Sequence, residues 1–293
     1  MATEVIRPDA RALTRARAAK SVNLPIGRWL LSAVVLGTFA LLILVPAVAL
    51  ARQVFTGGWR PFVHALSTAE VQRAFGLSLG ITVVATAINT LFGIAFALVL
   101  ARQRFWGRAL ADGLVDMPFA VSPVVAGLML VILYGPQGWL GRGIEAAGYR
   151  VVYAIPGMVL ATMFVTLPFV MREVMPVLQE FGTDQVEAAY TLGAGRWQTF
   201  WRVTLPLIRW GLAYGVTLTI ARALGEFGAL LVVSGNLIGH TQTATLYIHD
   251  GIESFQTEGA YAASFVLAAV SFALLVGMDR VRRRLAIREG GRW

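Results

Sequence analysis

The sequence predicts an all-α membrane protein, a polytopic bundle of six transmembrane helices. Three observations carry that prediction. Of the 293 residues, 57% are hydrophobic and only 14% charged, where soluble domains carry about a quarter charged residues. The apolar residues gather into six runs suited to a hydrocarbon core of about 30 Å, which needs about 20 helical residues per crossing. The Arg and Lys residues, which bring the net charge to +9, sit in short blocks beside those runs, the pattern that sets membrane topology.

The elements follow in order. Residues 1–28 form a basic tail without a motif. The first apolar run is Trp29–Leu50. Ala47-Val48-Ala49 is similar to a signal cleavage site, but the polar tail before it is long and the run itself can span, so a retained helix is expected. The second run is Gly76–Leu100. The third, Leu114–Tyr134, and the fourth, Ile155–Met171, are interrupted by Pro118, Pro123, Pro156 and Pro168. Membrane helices tolerate such prolines where neighbours re-satisfy the freed carbonyls. The fifth run is Ile208–Val233 and the sixth Tyr261–Val281. The membrane domain thus covers 29–282, and a second basic tail covers 283–293.

Helices in lipid associate by close packing of small residues. Gly76 and Gly80, Gly211 and Gly215, and the stripe Ala85, Asn89, Gly93, Ala97 fit that logic. Asn89 is placed to hydrogen-bond across a helix interface. Counting Arg and Lys by segment places nineteen on one side of the membrane, with both tails, and five on the other. The positive-inside rule therefore puts both termini and the segment 183–206 in the cytoplasm.

That segment is a polar, aromatic-rich insert between two apolar runs. Thr183 and Asp184 can cap a helix, with Glu187 three residues after Asp184 as in a capping box. Gly193 suits the left-handed residue that ends a helix, and Gly195 adds a second permissive hinge. A second short helix over Arg196–Val203 places Trp197, Phe200, Trp201 and Thr204 on one face. Pro206 marks entry to the next apolar run. The product is two short helices joined by a glycine elbow.

Arg222 and Glu226 lie four residues apart near the middle of the fifth run. An unpaired charge there costs about 2.5–3.5 kcal/mol on insertion scales, so the two should face each other, toward the bundle or a wet cavity. Two readings stand: an ion pair that fixes packing, or an Arg222 that sets the potential along an anion path.

Several classes are excluded. The chain has no Cys, hence no disulfide or thiol chemistry. His64, His240 and His249 show no metal-ligand spacing and read as surface or loop residues; no metal site is expected. There is no G-x-x-x-x-G-K-[ST] loop, nucleophile elbow or catalytic triad. No nucleic-acid-binding fingerprint accompanies the charge. No catalytic residue is expected, and the environment implied is the lipid bilayer.

Glu187-Ala188-Ala189, Gly193 and the later Leu205-Pro206 carry a spacing that resembles the EAA loop of ABC importer permeases; Val203 stands where Ile is commoner. Asp116 to Leu128 (DMPFAVSPVVAGL), Pro156 to Leu160 and Pro168 to Glu173 resemble sulfate/thiosulfate permeases. Ala221 to Ala229 (ARALGEFGA) is similar to both sulfate and molybdate permeases, and Val232 to Asn236 favours the sulfate group, CysW type. The similarity covers about residues 70–280. It implies a type I ABC importer permease that forms half of a translocation path in the cell's inner (plasma) membrane. The implied partners are a CysT-type permease, two copies of a CysA-type ATPase and a periplasmic sulfate/thiosulfate-binding protein. ATP and Mg would be bound by the ATPase, with no cofactor in this chain. The alternatives are a molybdate/tungstate permease, a secondary anion transporter, or a membrane scaffold.

Overall fold

The computed structural model describes the backbone of residues 25–289 and the side chains of residues 29–280. The tails expected at 1–28 and 283–293 lie outside the residues whose side chains are described. Every regular element among the described residues is a helix. In order they are α1 (Trp29–Phe55), α2 (Trp59–Leu66), α3 (Ala69–Arg102), α4 (Arg108–Ala120), α5 (Pro123–Tyr134), α6 (Gly141–Ala146), α7 (Ile155–Phe181), α8 (Asp184–Thr191), α9 (Arg196–Leu224), α10 (Gly228–Val233), α11 (Ala244–Glu253) and α12 (Thr257–Glu289). The chain forms two compact units, one ending at Gln53 and one starting at Val54.

The first unit contributes most of α1, which has one wide turn at Ala40–Leu44. A second wide turn, Phe200–Thr204, lies in α9. Each ends two residues before a proline, Pro46 or Pro206. A proline ring lacks an N–H and clashes with the carbonyl four residues back. Opening the turn to five-residue bonding accommodates both defects without breaking the helix.

The second unit is built around α3 and α7, which run parallel. Asn89 on α3 donates to the Met163 carbonyl at 2.9 Å and to Thr166 Oγ1 at 2.8 Å. One turn further along, a Cβ at Gly93 would stand 2.8 Å from Val170 Cβ, so only glycine permits this approach. The stripe Ala85, Asn89, Gly93, Ala97 is wholly buried, as its small-residue pattern predicts. Gly211 and Gly215 likewise bring α9 onto α7, where added Cβ atoms would lie 2.6 Å from Glu173 O and 2.9 Å from Val170 Cα. Gly76 and Gly80 do not follow the expectation. They lie on the exposed face of α3, and among the described residues nothing lies within 4 Å of an added Cβ at either. In lipid such packing, rather than water exclusion, holds helices together.

Two apolar clusters divide the core. One holds Ile81, Met158, Ala161, Val165, Leu230, Val233 and Leu246. The other, toward the 183–206 segment, holds Ala97, Leu100, Val115, Val170, Met171, Val174, Leu178 and Ile208.

The third and fifth expected spans are discontinuous, which corrects both. The third turns by 113° between α4 and α5. Pro123 cannot donate a backbone hydrogen bond and drives the residue before it out of the helical region; Val121 and Ser122 are accordingly extended, at ψ 131° and 138°. The fifth begins at Arg196 rather than Ile208 and stops at Leu224, to resume as α10 after Gly225–Phe227. The breaks meet. A Cβ at Gly127 of α5 would stand 2.7 Å from Ala229 O of α10, and one at Gly228 would stand 3.2 Å from Pro123 and Val124. The fourth span is also longer than expected, running to Phe181.

The broken pair still crosses the bundle. Its first half, α4, is tied to Arg172 in the later half of α7. Its second half packs on α10, whose end reaches the start of α7, where Tyr153 N–H donates to Val233 O at 2.8 Å. Five of the described helices are long and apolar enough to cross a membrane alone, and this pair, taken as one span, brings the number to six. His64 and His240 are exposed, as surface residues should be. His249 differs: it is half-buried on α11, tilted against the Phe227 ring at 5.0 Å.

Candidate functional site

The glycine elbow forms as the residues dictate, with three adjustments. The cap of α8 is Thr183, not Asp184. Its carbonyl accepts the Val186 and Glu187 N–H groups, and its hydroxyl donates to the Glu187 carboxylate at 2.7 Å. Asp184 and Glu187 place negative charge in the first turn of α8, where it complements the helix dipole. At the other end the chain makes a Schellman stop: Gly193 N–H reaches Tyr190 O, and Ala194 N–H reaches Ala189 O. Gly193 sits at φ +84°, a conformation that strains a residue bearing a Cβ. Gly195 is not a second hinge; at φ −73° it is an ordinary extended cap. Nor is the second helix separate, since Arg196 opens α9 and continues through the wide turn into the membrane run.

The surface this creates is unusual for a polar segment. Glu187, Ala188 and Gly193 are exposed, and Ala189 is half-buried, so one face of α8 is smooth. Around it stand Tyr190, Leu192, Trp197 and Trp201; Leu192 is 88% exposed and Trp197 73%. Trp197, Phe200 and Trp201 contact one another, with ring centroids 5.6–6.1 Å apart. Thr199 and Thr204 are buried instead and seat the turn on the bundle; Thr204 does not share the exposure of the aromatic stripe. Leu205 is half-buried and Pro206 exposed at the start of the membrane run. Exposed aromatics grouped in this way mark a surface that meets another protein or the membrane.

The second site lies at the helix breaks. Arg222 is in the last turn of α9, and Glu226 is in the break itself, so neither sits mid-helix. They pair nonetheless, with Arg222 Nη1 2.8 Å from Glu226 Oε2. The Glu226 side chain is fully buried and that of Arg222 is 34% exposed. The other carboxylate oxygen accepts the Ala229 N–H at 3.0 Å, and the Glu226 carbonyl accepts Thr245 Oγ1 at 2.7 Å. Next to Thr245, Ala244 N–H donates to Ser78 Oγ at 2.8 Å. Glu226 thereby joins α9, α10 and α11, and Ser78 extends the link to α3.

A third group escaped the sequence reading. Arg172, counted there only as a basic flank, clasps Asp116 through Nε at 2.7 Å and Nη2 at 2.5 Å, and Asp112 through Nη2 at 2.8 Å. The signal was present: two carboxylates four residues apart beside an apolar run need a cation. Around α11 the Asp250 carboxylate accepts Asn236 Nδ2 at 2.7 and 2.9 Å and Gln242 Nε2 at 2.7 Å. Burial and the charge of Glu70 push the Tyr247 phenol above its ordinary range. No group of side chains that could hold a metal ion occurs among the described residues.

Five long apolar helices, a bent apolar pair and an ordered aromatic elbow mark a multi-pass membrane subunit. The chain belongs to the family described as "Binding-protein-dependent transport system inner membrane component", which matches residues 89–287. It is 47% identical over 267 residues to the sulfate transport system permease protein CysW of Synechocystis sp. (strain ATCC 27184 / PCC 6803 / Kazusa), covering 90% of this chain and 97% of that protein. It is 37% identical over 251 residues to the sulfate transport system permease protein CysT of Escherichia coli (strain K12), covering 86% and 91%. Among solved structures, a bacterial ABC transporter involved in the import of the acidic polysaccharide alginate shares the fold, with a TM-score of 0.72 at 21% identity over 89% of this chain and 97% of that one. The all-helical importer-permease fold expected from the sequence is the fold found.

Proposed function

We propose that this chain is the CysW-type permease subunit of an ATP-driven importer for sulfate and thiosulfate. The observation that carries the reading is the 47% identity to a CysW sulfate permease along 97% of that protein's length. The greater distance from a CysT protein, at 37% identity, supports the CysW assignment and makes a CysT-type chain the expected second permease.

In this reading two copies of a CysA-type ATPase bind ATP and Mg on the cytoplasmic side. A periplasmic sulfate/thiosulfate-binding protein delivers the anion from the other. The permease makes and breaks no covalent bond. The elbow formed by Glu187, Ala188, Ala189, Gly193, Leu205 and Pro206 receives the ATPase. Because α8 packs on the first turns of α9, and α9 continues without a break to Arg222, a push on the elbow travels along one rigid helix to the Arg222–Glu226 pair. That pair holds the break between α9 and α10 in register. The subunit sits in the inner membrane with both termini and the elbow cytoplasmic, the side favoured by the charge count.

Growth supplies the test. A bacterium lacking its own CysW gene, given this chain with matching partners, should regain growth on sulfate as sole sulfur source. Rescue of molybdate-dependent growth without rescue on sulfate would assign the chain to the molybdate/tungstate class instead.

A further inference from the structure

We propose that the seam between α3 and α7 holds a short chain of buried, ordered water, seated on Thr82, Thr86 and Asn89. All three side chains are nearly or fully buried, at 1%, 6% and 0% exposure. Thr82 Oγ1, Thr86 Oγ1 and Asn89 Oδ1 have no hydrogen-bond partner among the described residues. Threonines in the spans normally spend their hydroxyl on the carbonyl four residues back. Thr90, Thr162, Thr166, Thr217 and Thr219 do so. Thr82 and Thr86 do not.

The Asn89 amide cannot be turned round to resolve its own deficit. The Met163 carbonyl can only accept, and the Thr166 hydroxyl proton is already given to Thr162 O. Both contacts therefore need the amide nitrogen, and Oδ1 is left facing no donor. At about 100° per residue the three positions fall on one face of α3, within about 60° of each other. Successive Cα atoms along that face are about 6 Å and about 4.5 Å apart along the axis. A water with two bonds of about 2.8 Å bridges such gaps. Buried polar atoms without partners are rare, and water is their usual companion. A monovalent cation fits less well, because the three oxygens carry no charge. Such a seam would let α3 and α7 keep their polar groups satisfied through small relative shifts.

Because the two helices run parallel, Met158 on α7 lies level with Thr82, as Thr166 lies level with Asn89. Met158 is fully buried, and so is Met171 in the other cluster. X-ray radiolysis makes hydroxyl radicals from bound water in place, so buried methionines beside water oxidise and dry ones do not. In the purified importer complex, Met158 should oxidise at least about fivefold faster than Met171. Thr82→Val with Thr86→Val, which keeps side-chain shape, should bring Met158 down to the Met171 rate. Thr82→Ser with Thr86→Ser should leave it fast, and this variant guards against a folding artefact. Equal slow rates at Met158 and Met171 in the unaltered complex would overturn the proposal. So would an unchanged Met158 rate in the valine pair, or a rate that depends on exchanging Na+ for K+, which would identify a cation.

Discussion

Replacing Arg222 by Ala would leave the Glu226 carboxylate buried with only the Ala229 N–H for company. Breaking a buried pair from one side costs about 3–5 kcal/mol. Arg222 is a third exposed, so solvent already screens part of the attraction, and about 2–3 kcal/mol is the fitting range. Glu226→Ala acts differently. It removes the acceptor for Ala229, worth about 1 kcal/mol, while the freed guanidinium can turn to solvent; the expected loss is about 1–2 kcal/mol. Arg222→Ala should thus be the worse single variant. The double variant should recover about 1–2 kcal/mol relative to the sum of the singles. At about 1.4 kcal/mol per tenfold, Arg222→Ala alone lowers the folded-to-unfolded ratio about 30- to 150-fold. Thermal unfolding of the detergent-solubilised complex, followed by fluorescence-detected gel filtration, measures all four corners of the cycle. Losses that add to within about 0.5 kcal/mol would mean that no coupled pair exists. Transport by the double variant should track its folded amount. Full assembly with transport missing would give Arg222 a place on the anion path.

Other perturbations test separate parts. Gly193→Val forces a β-branched residue to φ +84°, a local strain of about 1–3 kcal/mol; the protein should insert normally yet fail to retain the ATPase on co-purification. Gly93→Leu drives a side chain into Val170 and the Met171 backbone, so the complex should not assemble, whereas Gly80→Leu, in open space, should be silent in the same gel-filtration assay. Arg172→Met leaves Asp112 and Asp116 as uncompensated like charges; because these groups are 40–47% exposed the loss should be about 1 kcal/mol, and adding Asp112→Asn should restore part of it. A single Cys at position 193, in a chain that otherwise has none, should resist a membrane-impermeant thiol reagent in intact cells; ready labelling would reverse the orientation.

Much of the bundle was readable because membrane helices announce themselves by length and composition. The elbow was readable too, because Gly193 and the Thr183–Glu187 contact are local devices. What escaped was non-local. Pro118 and Pro123 signalled an interrupted helix, but a turn of 113° depends on α10 being there to receive α5. Gly225 offered the only hint that the fifth run breaks, and periodicity cannot tell a tolerated glycine from a true stop. Arg172 looked like a topological flank because its partners lie 56 and 60 residues away. Gly76 and Gly80 matched a packing motif, yet among the described residues nothing lies within 4 Å of where their side chains would be. A motif reports that a helix can be approached closely, not that anything approaches it.

Sulfate conduction by an ATP-coupled importer is the activity that transport measurements address. Uptake of radiolabelled sulfate into proteoliposomes holding this chain, a CysT-type permease, the CysA-type ATPase and a sulfate-binding protein tests it directly. Uptake should require both ATP and the binding protein and should disappear with Gly193→Val. Sulfate uptake that persists without ATP, or a complete and correctly assembled set that moves no sulfate, would contradict it.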